Sequence, residues 1–110
     1  MLNHRFSRKD GGGVLTLGGE LTIYTASEAF QLLQGHLGSV PRLDLDLSGI
    51  EEFDTAGAQL LFWAKREAHH LGKDLAIIHH GPSVVNALDL LNLASVLGDA
   101  ILEEPGHGSR

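Results

Sequence analysis

The residues of this chain best suited to chemistry are Thr55, which carries a hydroxyl group, and Asp54, which places a carboxylate beside it. They separate a strand-like segment from an apolar helical pattern, so either residue is a natural cap for a helix N-terminus. Free backbone N–H groups at such a terminus favour a phosphate on Thr55, whereas Asp54, Glu51 and Glu52 repel it. A phosphate on Thr55 is therefore expected to act by disturbing an interface. In the simpler alternative, Thr55 is only a helix cap.

Two further patterns could carry chemistry, and each has a better structural explanation. Asp44 and Asp46 could form an acid/base couple of the kind that glycosidases use, but the chain offers no aromatic sugar platform beside them. The glycines Gly11–Gly13 could cradle a phosphate, but no Gly-Lys-Ser/Thr follows and no helix begins there. We interpret the aspartates as one face of a strand and the glycines as a turn.

Seven histidines in 110 residues invite a metal-site interpretation. Two pairs are adjacent, His69-His70 and His79-His80, and adjacent residues do not share a face on a helix or a strand. No His-Glu-x-x-His spacing or aspartate cluster completes a coordination shell. The chain also has no Gly-x-Ser-x-Gly nucleophile motif. We therefore expect no enzymatic activity, no metal and no cofactor.

Length and composition are typical of one soluble domain, since 43% of the 110 residues are hydrophobic and 20% are charged. The 14 acidic and 8 basic residues give a net charge of −6, which disfavours nucleic acid as a partner. Without cysteine there is no disulfide framework and no thiolate metal site. No apolar run approaches the roughly 20 residues that span a bilayer, and no signal peptide is visible. We expect a cytoplasmic protein without membrane insertion.

The apolar pattern predicts the element order β-β-α-β-α-β-α-β. Asp10-Gly11 is typical of a hairpin turn. Leu43 to Leu47 alternates strictly between leucine and aspartate, which predicts a half-buried strand and a sheet with one face open to water. Further strands are predicted at 74–79 and, at the sheet edge, at 100–102. Strand–helix alternation predicts a mostly parallel sheet with right-handed crossovers, in a domain over 1–102 with a disordered tail over 103–110.

Three amphipathic helices are predicted between the strands. Thr25 to Glu28 forms a capping box for the first, Gly72 follows the second, and Gly81-Pro82 opens the third. The predicted core faces consist of Ala26, Ala29, Phe30, Leu33 and Leu37, then Leu60, Leu61, Ala64, Ala68 and Leu71, then Val84, Val85, Leu88 and Leu91. Phe62 lies opposite Leu60 by helical angle, so it is predicted on the outer surface, where an aromatic residue suits a partner interface.

Three groups of residues resemble the STAS family, which includes anti-sigma factor antagonists and the tails of sulphate transporters. The central group is Leu45–Ile50 followed by Phe53-Asp54-Thr55-Ala56-Gly57-Ala58-Gln59-Leu60-Leu61. Upstream, Leu17–Leu21 and Thr25-Ala26 resemble the family's Gly-Glu-Leu-Asp…Thr-Ala segment. Downstream, Pro82–Val85 and Leu90–Leu93 resemble its third helix. The likeness extends from Val14 to Leu102.

The resemblance implies an α/β, STAS-like fold with a mixed, mostly parallel sheet of four to five strands and helices mainly on one face. It implies a regulatory protein, a monomer or weak dimer, that binds a serine kinase acting as an anti-sigma factor and is released by phosphorylation. The phosphoacceptor would be Thr55. The partner-binding residues would be Ser48, Glu51, Glu52, Asp54, Thr55, Ala56, Gly57, Gln59 and Phe62.

The resemblance also leaves alternatives open, because many phosphorylated members have Asp-Ser-Ser-Gly where this chain has Asp-Thr-Ala-Gly at 54–57. The latter form resembles an interaction subunit of bacterial lipid-transport ATPases, which would dock on an ABC transporter ATPase without phosphorylation. Glu20 to Ala26 resembles STAS proteins that accompany chemotaxis histidine kinases, where the chain would be an adaptor. A nucleotide- or small-ligand-binding module is a further alternative, although no phosphate-binding loop supports it.

Overall fold

A computed structural model describes residues 1–90, with side chains as far as Asn86. It confirms the predicted order of the first seven elements, while the predicted strand at 100–102 and the tail at 103–110 lie outside the described residues. The elements are β1 Leu2–Lys9, β2 Gly12–Leu21, α1 Ala26–Ser39, β3 Arg42–Phe53, α2 Thr55–His70, β4 Asp74–Ile78 and α3 Gly81–Leu90. No helix within these residues is long and apolar enough to cross a membrane.

The four strands form one mixed sheet in the order β1-β2-β3-β4. The β1–β2 pair is antiparallel, whereas β2–β3 and β3–β4 are parallel. Asp10 and Gly11 join the antiparallel pair with φ values of +34° and +79°, which is the left-handed backbone that a tight hairpin requires. The predicted turn at Asp10-Gly11 is confirmed.

The central strand β3 separates the two faces of the sheet. Leu43, Leu45 and Leu47 are buried, and the intervening Asp44 and Asp46 are half-buried on the opposite face. The alternation in the sequence therefore matches the alternation in burial, as the strand period of two requires. Helices α1 and α2 cover the leucine face, where their buried residues join one core cluster with the strands.

Among the described side chains, three lie differently from their predicted positions; those of Leu88 and Leu91, predicted in the core, lie outside the described part. Phe30 and Leu71, predicted in the core, are 37% and 46% exposed, and the Phe30 ring rests on Trp63, with centroids 4.5 Å apart. Phe62, predicted on the outer surface, is half-buried and packs against the core. Helical angle alone fails at the margins of the apolar stripe, because a neighbouring helix or the helix end decides which marginal residues are covered.

Helix α3 begins beside the second half of β3, beyond the segment Arg42–Asp46 that pairs with β4. The Ser83 hydroxyl donates a hydrogen bond to the Glu51 carbonyl oxygen at 3.0 Å. Val84 is buried in the core cluster. The start of α3 therefore lies against the part of β3 that leads to the candidate site.

Candidate functional site

The site lies at the carboxyl ends of the parallel strands β2 and β3, where Leu21 pairs with Phe53. Asp54 follows at once and caps α2, with its Oδ1 accepting a hydrogen bond from Gly57 N at 3.1 Å. Asp54 is thus the cap, and Thr55 is the first residue of the helix. The Thr55 side chain is exposed, and its hydroxyl has no hydrogen-bond partner within residues 1–90.

The second carboxylate oxygen of Asp54 reaches a different part of the chain. Its Oδ2 accepts a hydrogen bond from Ile23 N at 3.0 Å, so one carboxylate holds both the start of α2 and the turn that joins β2 to α1. A charged acceptor makes each of these bonds stronger than a bond between neutral groups. The Ile23 contact spans 31 residues of sequence, and no local pattern predicts it.

Gly57 fixes how closely α2 approaches the sheet. A Cβ atom at this position would lie 2.4 Å from the Leu21 carbonyl oxygen and 2.9 Å from the Phe53 ring. Only glycine allows this contact between helix and strand without a backbone shift. The contact sets the position of the first turn of α2, and hence of Thr55, relative to the strand ends.

The turn over Thr22–Thr25 is held by its own hydroxyl groups. Thr25 Oγ1 accepts from Thr22 N at 3.1 Å and donates to the Glu20 carbonyl oxygen at 3.0 Å. The capping box predicted at Thr25 and Glu28 is therefore wrong, since Thr25 makes no side-chain cap hydrogen bond to α1. Thr25 is buried beneath the turn. Its hydroxyl group is therefore hydrogen-bonded to backbone groups there and does not cap α1.

The predicted partner-binding residues differ in exposure. Those exposed to solvent are Ser48, Glu51, Glu52, Thr55 and Gln59; those half-buried are Asp54, Ala56 and Phe62; Gly57 is buried. Glu51 and Glu52 lie at the end of β3 close to Thr55, whereas Ser48 lies roughly 15 Å back along the strand. Sequence reasoning did not single out Ile23 and Tyr24, which are exposed between the two threonines.

A second polar cluster surrounds Asp46, away from Thr55. Its Oδ1 accepts from Ser48 N at 2.9 Å, and its Oδ2 lies 3.1 Å from His79 Nδ1. Partial burial tends to raise the pKa of Asp46, but the hydrogen bonds from Ser48 and His79 outweigh it and hold that pKa below its ordinary value. No group of three potential metal ligands occurs in the part of the chain that the structure describes.

The fold is that of a small α/β domain in which a capped helix start, flanked by carboxylates, follows the end of a central strand. The chain belongs to the STAS family, because the family model described as MlaB, STAS domain, matches residues 4–103. No curated protein matches the chain.

Solved structures share the fold at low sequence identity. An anti-sigma factor antagonist from Mycobacterium paratuberculosis has a TM-score of 0.73 and 23% identity over 87% of this chain and 82% of that chain. The antagonist SpoIIAA has a TM-score of 0.66 unphosphorylated, with 14% identity over 84% of both chains. Its phosphorylated form from Bacillus has a TM-score of 0.62, with 15% identity over 84% of this chain and 86% of that chain. The domain is thus similar in fold to anti-sigma factor antagonists.

Proposed function

We propose that this chain is a non-enzymatic regulator, similar to anti-sigma factor antagonists, that binds a partner through the surface around the start of α2. The observation that carries the proposal is the position of Thr55 as the exposed first residue of α2, directly after the cap Asp54. A kinase can reach this hydroxyl without unfolding the helix. SpoIIAA, which has a similar fold, has been solved in a phosphorylated form.

The proposed partner is an anti-sigma factor with serine/threonine kinase activity. The γ-phosphoryl group of ATP would pass to Thr55 Oγ1, forming a new O–P bond while the bond between the γ-phosphorus and its bridging oxygen breaks. ADP leaves, and the hydroxyl proton passes to a base of the kinase. The product carries an added charge of about −1.5 to −2 beside Asp54, Glu51 and Glu52. This change in charge and bulk is expected to release the partner.

A direct test uses the purified chain and a candidate anti-sigma kinase from the same organism, with Mg²⁺ and ATP. Mass spectrometry locates the phosphate, and calorimetry measures the complex before and after reaction. We expect a phosphate on Thr55, binding by the native chain and by Thr55→Ala, and binding at least about tenfold weaker for Thr55→Glu. Equal affinity of Thr55→Ala and Thr55→Glu contradicts the switch. Absence of both phosphate and complex overturns the proposed function.

A second candidate function is a non-phosphorylated interaction subunit of an ABC-type lipid transporter. The Asp-Thr-Ala-Gly form at 54–57 favours it by resemblance, and the family model that matches the chain carries the MlaB description. In that case the same surface binds the transporter ATPase, and Thr55 stays unmodified. A stable complex with an ATPase from the gene neighbourhood, without phosphate on Thr55, distinguishes this candidate from the first.

A further inference from the structure

Two adjacent large apolar side chains are exposed beside the site. Ile23 is 68% and Tyr24 is 90% exposed, at the tip of the turn between β2 and α1. A single exposed apolar side chain is ordinary on a protein surface, whereas neighbouring ones next to a polar rim are typical of interaction surfaces. Tyrosine in particular supplies a large contact area with little conformational entropy to lose.

The turn that presents these side chains is fixed before any partner arrives. Thr25 N donates to the Thr22 carbonyl oxygen at 3.0 Å, and Tyr24 N donates to Thr22 Oγ1 at 3.2 Å. The Asp54 carboxylate holds Ile23 N from the side of α2. Thr22 and Thr25 are each only 7% exposed. Because the backbone is already ordered, docking of the two side chains costs little entropy.

The surroundings of this turn are acidic. Glu20 pairs with Glu52 in the β2–β3 register, Glu51 precedes Glu52 in β3, and Asp54 follows the end of that strand. Arg42 is the only lysine or arginine between Asp10 and Ala64, and it lies at the opposite end of β3. The Glu20 carboxylate is already paired with the Met1 ammonium group at 2.8 Å, whereas Glu51 and Glu52 have no ion pair among the described residues. Positive charge on a partner that covers Ile23 and Tyr24 would complement these two carboxylates.

We propose that Ile23 and Tyr24 form the apolar centre of the docking surface, and that they fit an apolar pocket bordered by lysine or arginine side chains on the partner. The inference rests on the proposed function, because it specifies how the same partner recognises the chain. Asp54 bonds both the turn and the start of α2. One partner surface consequently contacts Tyr24 and the region around Thr55 together.

The test measures the affinity of the same purified kinase for a double variant, Ile23→Ser with Tyr24→Ser. Both substitutions are on exposed side chains and keep the backbone N–H groups, and circular dichroism checks that the fold is retained. Leu71→Ser is the matched control, since Leu71 is also exposed but lies at the far end of α2. We expect the double variant to bind at least about tenfold more weakly and the control to bind as the native chain does.

A second arm tests the charge of the partner with the double variant Glu51→Lys and Glu52→Lys, for which we also expect clearly weaker binding. If the native chain binds and the Ile23/Tyr24 variant binds equally well, the inference fails while the proposed function stands. Equal losses for that variant and Leu71→Ser also overturn it. If the Glu51→Lys/Glu52→Lys variant binds as the native chain does, lysine or arginine side chains do not border the partner's pocket, and that part of the inference fails. Absence of any complex with the native chain overturns the proposed function itself.

Discussion

Replacing Asp54 with alanine is expected to lower the free energy of unfolding by about 2–3 kcal/mol. The carboxylate caps α2 through Gly57 N at 3.1 Å and holds Ile23 N at 3.0 Å. Loss of an N-cap costs about 1 kcal/mol. Loss of a hydrogen bond to a charged acceptor costs about 1.5 kcal/mol, the lower end of its range, because Ile23 is exposed and water can replace the carboxylate.

Two further variants separate the contributions. Asp54→Asn keeps one acceptor oxygen, so it can hold one of the two N–H groups, and we expect roughly half of the loss. Thr55→Ala removes an exposed hydroxyl without a hydrogen-bond partner among the described residues. It is expected to change the free energy of unfolding by less than about 0.5 kcal/mol.

Urea denaturation at neutral pH, followed by circular dichroism at the helix band, measures all three variants. The Asp54→Ala loss corresponds to a decrease in Tm of about 10 °C for a domain of this size. If Thr55→Ala is as destabilising as Asp54→Ala, the hydroxyl and not the carboxylate is the cap. If Asp54→Asn is as stable as the native chain, the second oxygen contributes nothing, and the link to Ile23 is unimportant for stability.

Two other predictions concern the packing of α2 and the loss of folding stability at low pH. Gly57→Ala is expected to destabilise the domain by about 1–3 kcal/mol in urea denaturation, because its methyl group meets the Leu21 carbonyl oxygen. Gly35→Ala, at an open position on α1, is expected to stabilise the domain by about 0.5–1 kcal/mol. If Gly57→Ala stabilises the domain and Gly35→Ala destabilises it, the close approach at Gly57 is refuted. The lowered pKa of Asp46 contributes stability above the ordinary value of 3.8 that is lost as the pH falls below it. As the pH is lowered, the free energy of unfolding should therefore fall less steeply for Asp46→Asn than for Asp44→Asn. Identical pH dependence of the two variants would contradict this.

The elements of the fold could be predicted because they depend on local periodicity. The alternation over Leu43–Leu47 follows from one buried face of β3. The apolar spacing of α2 and the glycine after it mark that helix within two residues of its observed end at His70. Such patterns depend only on which face of a helix or strand is buried. They can therefore be recognised without knowing which other element covers that face.

The details of the site could not be predicted, because they depend on contacts between distant segments. The sequence at Thr25 and Glu28 favours a capping box, but the buried turn uses the Thr25 hydroxyl instead. The contact of Asp54 with Ile23 joins two elements 31 residues apart. The choice between Asp54 and Thr55 as the cap likewise required the position of the helix start.

The strands lie in the sheet in the same order as in the chain. Each strand after β1 consequently pairs with the one that precedes it, and no pairing among these four waits for a segment that is synthesised later. Only the β1–β2 hairpin is local, because Gly13 pairs with Leu43 and Leu43 with Leu75 across a whole helix each, and such distant parallel pairings slow folding. The order allows the sheet to be assembled by adding one edge strand at a time to the β1–β2 hairpin, and the turn at Ile23 gains its hydrogen bond to Asp54 only after β3 has been added.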